Sequence, residues 1–359
     1  MGVAILEIYN NNEYFKYLSF NTLWVVMMLY GSVASLYYVI NALDMLLDLF
    51  IRDPVPLEKF GAGKGFWAVV TGCTDGIGKE MALQLADKGF NIIMLSRTPS
   101  KLNEVQKIIE DKGAHAISYA VDFTNCSDKQ WEDIRQIIAK QEVSVLVNNV
   151  GLCHENPIFF DEESEKLCND MVEVNINTMI NVTRIVVPQM QKRKNGLIIN
   201  MGSFAALRSL PFLSVYAGTK GFVKTYTQSL AYELESDGIM LSHVFSFWVT
   251  SKMSGYREPT LSVPSPEQYV QCVFDRLGLR CGAFDSHTTI PYYPHSLISY
   301  ILSCLWDPMH AKGVHYNIGH NLYKLGQVRQ ERRRLRKARE AQNTAKTAST
   351  SLQQVSLAA

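Results

Sequence analysis

The stretch from Phe66 to Gly78 constrains the fold of this chain more than any other. Phe66-Trp67-Ala68-Val69-Val70 is a short apolar run of the kind expected for a strand buried on both faces. It feeds directly into Thr71-Gly72-Cys73-Thr74-Asp75-Gly76-Ile77-Gly78, and a helical pattern follows with Met81, Leu83, Leu85 and Ala86 as its apolar members. Strand, glycine-rich turn and helix in that order form a cradle for a nucleotide diphosphate, because the helix N-terminus offers free N–H groups and the positive end of its dipole. Gly72 permits the tight turn, Gly76 lets backbone approach the diphosphate, and Gly78 lets the helix pack closely on the sheet. The plainer alternative is an ordinary strand-to-helix turn whose glycines serve geometry only. On the functional reading, Gly72, Thr74, Asp75, Gly76, Ile77 and Gly78 are candidate cofactor contacts.

Further strands follow at intervals. Asn91-Ile92-Ile93-Met94-Leu95 ends in Ser96-Arg97-Thr98, where NAD-binding versions of such a unit carry an acidic residue. Here Arg97, with Lys79 beyond the glycine loop, suits a 2′-phosphate instead, so NADPH is the expected cofactor; a plain surface charge is the alternative for either. Ala120-Val121-Asp122 closes a third strand, with Asp122 placed for the adenine edge. Val143 to Val147 and Leu197-Ile198-Ile199-Asn200-Met201 add two more, the first ending in Asn148-Asn149-Val150-Gly151. Strands alternating with helical stretches imply an α/β fold, a doubly wound parallel sheet of Rossmann type with right-handed crossovers.

Tyr216 and Lys220 stand at i and i+4, one above the other on a helix face, with Ser203 upstream. A fixed lysine charge lowers the pKa of a nearby phenol and makes it usable in proton transfer near neutral pH, while the Ser203 hydroxyl could hold a substrate oxygen in line. Alone, such a pair is commonly a solvated helix face; the glycine loop before it changes its weight.

Together these residues resemble the short-chain dehydrogenase/reductase family: Thr71–Gly78, Asn148–Gly151, Asn175, Ser203 and Tyr216–Lys220 match its motifs in order and spacing, over about residues 61–285. The resemblance implies that Tyr216 donates a proton to a carbonyl oxygen as hydride arrives, that Lys220 binds the nicotinamide ribose, and that Ser203 polarises the carbonyl. It also implies that Asn175 seats a water of a proton relay and that Asn148, Asn149 and Gly151 line the cofactor groove. The family's Pro-Gly after the sixth strand is here Ser246-Phe247, which leaves the loop shape open; Val249 and Ser251 follow as candidate contacts to the nicotinamide. A narrower likeness covers Thr74–Glu80, Ser96-Arg97-Thr98, Asn148–Gly151, Met201-Gly202-Ser203-Phe204 and Ser265–Val270. These resemble the very-long-chain 3-oxoacyl-CoA reductases of fatty-acid elongation, most of all the fungal enzymes. That branch implies a long-chain acyl-CoA thioester as substrate, other elongation enzymes as partners, and the endoplasmic reticulum membrane as location. A 17-beta-type hydroxysteroid dehydrogenase is the competing reading, since both substrates are greasy ketones. An inert scaffold is a third, opposed by the intact Asn175, Ser203, Tyr216 and Lys220.

Charge distribution adds a membrane. From Tyr17 to Leu43 there is no Asp, Glu, Lys or Arg, a length that matches the roughly 20 residues a bilayer crossing needs. Lys16 precedes this segment while Arg52, Lys59 and Lys64 follow it, so the catalytic domain should face the cytosol. Seven cysteines without CxxC spacing agree with a reducing compartment. A second uncharged stretch, from Ser286 to Trp306, reads as a hydrophobic flap over the substrate entrance that dips into the membrane; the alternatives are a transmembrane-like element or an oligomer contact. The basic run from Arg329 to Arg339 reads either as a solvated helix and disordered end or as a contact with anionic lipid headgroups. The expected division is therefore 1–60 anchor and linker, 61–285 reductase domain, 286–325 flap and 326–359 basic tail. With a net charge of +1 and no aromatic-interleaved basic patch, nucleic acid is not an expected partner. His310, His315 and His320 recur every five residues, which rotates each off the last one's helix face, so no metal site is expected.

Overall fold

The computed structural model describes residues 13–207, 210–306, 321, 323–328, 331, 334 and 335. Its strands are β1 (Trp67–Thr71), β2 (Asn91–Ser96), β3 (Ala116–Ala120), β4 (Val143–Asn148), β5 (Gly196–Met201), β6 (Ile239–Val244) and β7 (Thr288–Thr289). The helices used below are α1 (Glu13–Phe50), α2 (Gly76–Asp87), α3 (Pro99–Asp111), α4 (Asp128–Ala139), α5 (Glu165–Val172), α6 (Thr178–Arg193), α7 (Ser214–Leu234), α8 (Pro266–Asp275) and α9 (Tyr293–Trp306). All strand pairs are parallel, in the order β3-β2-β1-β4-β5-β6-β7. The chain thus winds outward from β1 to β3, then returns to β4 on the other side. This reversal opens a crevice at the carboxyl ends of β1 and β4, where α/β sheets bind ligands.

The apolar runs form strands because both of their faces are covered. Successive side chains alternate, so Ala68, Val70, Ile92 and Met94 enter one core with Met81, Leu85, Leu102 and Val273. Val69, Ile93 and Leu95 enter the opposite core with Ile134, Ile138, Val182, Val186 and Leu234. Capping fixes where helices begin. Ser127 and Gln130 form a reciprocal capping box at α4, and Ser265 and Gln268 form another at α8 with Pro266 in its first turn. Two boundaries differ from the sequence expectation. The third strand ends at Ala120, and Asp122 lies past it, its side chain accepting from Thr124 N to cap a short turn. The sheet also runs beyond residue 285, because Thr288–Thr289 pairs with His243 and Val244.

At the N-terminal end, α1 is one unbroken helix of 38 residues, about 57 Å long at the usual rise. Its Phe20–Phe50 portion is long and apolar enough to cross a membrane, with mean hydropathy 1.8, and its large side chains from Phe20 to Leu43 are mostly exposed. The last turns are docked on the catalytic domain. Met45 and Leu49 are buried against Cys281, Leu279 and Tyr300, and Asp48 accepts from Arg280 N and Cys281 N at 3.1 and 3.0 Å. Arg52 reaches both Asp44 and Asp48 at 2.7 Å, and Arg280 also pairs with Asp44. Helix α9 lies beside α1, where Tyr300 donates to the Tyr38 carbonyl. It buries His295, Ser296 and Ser299 inward while Leu297, Ile298 and Ile301 stay open. Its 14 described residues cover about 21 Å, less than a bilayer core of about 30 Å. His310, His315 and His320 and most of the basic run lie outside the described residues.

Candidate active site

The glycine loop is held by β4. Thr71 Oγ1 accepts from Asn149 N and Val150 N at 3.0 and 3.1 Å, and Asn149 Nδ2 donates to Thr71 O and Gly72 O, both at 3.1 Å. Gly72 has φ +67°, a left-handed conformation that glycine takes without strain. A Cβ on Gly78 would stand 2.1 Å from Asn149 Nδ2 and 2.3 Å from Gly72 O, so only glycine lets α2 start this close to the strand end. Asp75 caps α2 by accepting from Gly76 N at 2.9 Å. These residues border a cleft of about 290 Å³, lined by Gly72, Asp75, Gly76, Ile77, Gly78 and Asn149 on one side and by Tyr216, Lys220 and Ser251 on the other. Thr74 bonds Ser96 at 2.9 Å, joining the loop to the end of β2. Arg97 follows there, its side chain 74% exposed and 3.8 Å from Asp122. The loop's glycines leave the room a diphosphate needs, and Arg97 stands largely exposed past the end of β2.

Helix α7 brings Tyr216 and Lys220 to the inner end of the cleft, and Lys220 Nζ lies 6.0 Å from the Tyr216 ring centre. Nζ donates to Met201 O at 2.9 Å, tying α7 to the end of β5. Ser203, just past β5, lines the same cavity as Tyr216, and its Oγ accepts from Ala205 N at 3.3 Å. Asn175 sits on a π-helical turn, Glu173–Asn177, with its side chain fully used. Its Oδ1 accepts from Leu152 N at 2.7 Å, and Nδ2 donates to Leu152 O and Thr219 Oγ1 at 2.9 and 3.0 Å. Asn175 therefore braces the loop after β4 behind Lys220. Beneath it, Asn148 bonds Thr183 and Asn200 at 3.0 and 2.8 Å, and Asn200 bonds Thr227 at 2.9 Å.

The electrostatics depart from the sequence expectation in one respect. Tyr216 keeps part of its surface on the cleft, but protein crowds the rest; burial, then the neighbouring Cys153, pushes the phenol's pKa up, against a smaller lowering by the Ser203 hydroxyl. Burial also brings Lys220 down to about 8, so its positive charge is less firmly held than on a surface lysine. His243, in β6, is held at about 3 by burial and then by the charges of Lys220 and Lys224.

A second cavity of about 270 Å³ adjoins the first, and Tyr216, Ile77 and Ser251 line both. Ser203 and Val249 face it, with Phe204, Leu210, Leu213, Phe247, Trp248 and Met253 giving it an apolar wall. Ser246-Phe247 serves this wall: Phe247 stacks on Phe204 at 4.4 Å, and Ser246 O accepts from Phe204 N at 2.9 Å. Several residues at the site carried no sequence signal. Thr219 fills an unspecified place inside the Tyr216–Lys220 motif, Lys252 (3.6 Å from Asp75) belongs to no motif, and the buried contact of His154 with Glu163 at 2.5 Å joins residues that only the fold makes neighbours.

The family model described as short chain dehydrogenase matches residues 66–261. The chain is 38% identical over 310 residues to the very-long-chain 3-oxoacyl-CoA reductase of Kluyveromyces lactis, covering 84% of this chain and 89% of that one. It is 37% identical over 290 residues to the protein of the same name from Coprinopsis cinerea, covering 79% and 86%. Among solved structures, a 7beta-hydroxysteroid dehydrogenase superimposes with a TM-score of 0.61 at 19% identity, covering 74% of this chain and 98% of that chain. The 3-oxoacyl (acyl-carrier-protein) reductase of Agrobacterium tumefaciens C58, solved with NADP bound, gives 0.56 at 22% identity, covering 67% and 98%. At those identities the structural likeness speaks to the fold alone.

Proposed function

The chain belongs to the short chain dehydrogenase family, and from that premise we propose that it reduces very-long-chain 3-oxoacyl-CoA to 3-hydroxyacyl-CoA with NADPH, in fatty-acid elongation. The observation that carries the chemistry is that Tyr216 stands where the glycine-loop cleft meets an apolar cavity, with Lys220 on the cleft side and Ser203 on the cavity side. The names of the relatives supply the substrate class. The alternative, a 17-oxosteroid, fits the same apolar wall but has no counterpart among those relatives.

NADPH supplies the hydride. The loop from Gly72 to Gly78, with Thr74, Asp75 and Ile77, is assigned to its diphosphate, Arg97 with Lys79 to the 2′-phosphate, and Asp122 to the adenine edge. Asn149, Val249 and Ser251 are assigned to its nicotinamide half. Ser203 donates to the substrate ketone and aligns it with Tyr216, and Tyr216 gives the proton that turns the oxygen into a hydroxyl. A raised phenol pKa keeps that proton loaded at neutral pH, the state a reductase starts from. Lys220, its Nζ 6.0 Å from the Tyr216 ring centre, lowers the cost of the phenolate left behind, and Asn175 ties the loop after β4 to Thr219 on the helix that carries both.

Helix α1 could anchor the enzyme in a membrane, and we assign that membrane to the endoplasmic reticulum with the catalytic domain in the cytosol. The lysine and arginine excess after the helix supports the orientation. Contact with anionic lipids through the basic tail and with other elongation enzymes belongs to the same reading. The test incubates membranes containing the protein with NADPH and either a long 3-oxoacyl-CoA or a 17-oxosteroid. Oxidation of NADPH with the thioester is expected; oxidation with the steroid only would overturn the assignment.

A further inference from the structure

The catalytic cavity has a wall that arrives from the far end of the chain. Tyr323 stacks on Phe212 at 5.0 Å and meets Phe159 edge-on at 5.0 Å, while Phe159 and Phe212 are themselves edge-on at 5.0 Å. Phe212 holds φ +69°, a left-handed value rare for an aromatic residue, and this ring cluster keeps it there. The loops carrying the two phenylalanines are joined by a bond from Ile158 N to Phe212 O at 2.9 Å. Gly326 lies directly on one of them: a Cβ there would be 3.2 Å from Asn156 Cβ and Pro157 Cδ. Held in this way, Leu325 lines the same cavity as Ser203 and Tyr216.

Size says what Leu325 meets. A cavity of about 270 Å³ lies at the small end for ligand sites and does not enclose a very long chain. The chain must leave along apolar surface. Leu325 is 54% exposed, at the rim, and Val328 at i+3 continues its face outward, also exposed. We propose that Leu325 is a specificity-determining residue, the wall past which the acyl chain leaves the cavity, with the Phe159–Phe212–Tyr323 cluster as the clasp that positions it. This rests on the 3-oxoacyl-CoA reading above and deepens it, since it makes chain-length preference a property of the segment around residue 325.

The test measures kcat/KM of the full-length enzyme in micelles with NADPH for 3-oxobutanoyl-CoA and 3-oxooctadecanoyl-CoA. Leu325→Ala removes apolar contact with the long chain only, so the long-chain value should fall about tenfold while the short-chain value stays within about twofold. Tyr323→Ala should give the same pattern by releasing the clasp, and retained short-chain turnover shows that each variant is folded. An unchanged ratio of the two substrates in Leu325→Ala, or an equal fall in both, overturns the proposal. Binding of octadecanoyl-CoA, which carries no ketone to reduce, separates this from failure of the reductase reading. Unaltered affinity in Leu325→Ala refutes the wall, whereas a wild-type enzyme that binds this ligand but reduces neither thioester refutes the assigned reaction.

Discussion

His243 makes acid sensitivity a measurable consequence of the core. It lies in β6 beside Asn200, fully buried, with its ring edge-on to Phe245 at 4.6 Å and neither ring nitrogen hydrogen-bonded. Burial holds its pKa at about 3 in the fold, against 6.5 when the chain is unfolded. Below pH 6.5 the unfolded state therefore takes up a proton that the folded state refuses, and stability falls as pH drops toward 3. Each pH unit in that window is worth about 1.4 kcal/mol, so at pH 5 the loss is about 2 kcal/mol. In a domain of this size that amounts to a drop of roughly 4–8 °C in the unfolding midpoint. His243→Leu has no proton to take up and gives up no hydrogen bond. Thermal unfolding of both proteins in micelles at pH 7.5 and pH 5 should show the wild type losing that much more than the variant. His295, held at about 4, and the carboxylates titrate in both proteins and cancel. Parallel losses in the two would refute the argument that His243 is kept neutral by its surroundings.

Three further outcomes are expected. Tyr216→Phe should lower turnover by about 10²–10⁴-fold while leaving NADPH affinity intact, measured by initial rates and by fluorescence of the bound dinucleotide. Arg97→Asp should weaken NADPH selectively and shift preference toward NADH; an unchanged ratio of kcat/KM for the two removes Arg97 from the site. Gly78→Ala should raise the NADPH dissociation constant at least tenfold and lower the unfolding midpoint, since its methyl would occupy the place of Asn149 Nδ2 and Gly72 O, which is backbone and has nowhere to go.

Those parts of the site that repeat a local pattern are legible in the amino-acid sequence itself. An apolar run ending in Thr71 announces a strand, and two residues at helical spacing announce a shared face. Whatever depends on surroundings is missing from such a reading. The proton affinity of Tyr216 is the clearest case: spacing to Lys220 implies a lowered value, yet burial raises it, and burial is a property of the folded whole. Asn175 can be placed by its motif, but its partners Leu152 and Thr219 come from a loop and a helix distant in sequence. β7 is two threonines long, too short to carry a period, and is a strand only because β6 offers an edge. The clamp of Asp44 and Asp48 on Arg280 joins residues more than 200 positions apart, for which no local pattern exists.

That clamp decides what kind of attachment α1 makes. A flexible tether lets its cargo tumble and sample every attitude above a surface; a strut does not. Because the helix runs unbroken to Phe50 and its final turns are bolted to the loop at 280–281, the catalytic domain inherits the helix's tilt and height. With the exposed part of the helix, Phe20 to Leu43, standing in a bilayer, the cavity holding Tyr216 would be presented to the lipid plane at one fixed elevation and bearing. A substrate whose tail lay in the leaflet would then meet the enzyme by lateral diffusion, without waiting for the domain to swing into register.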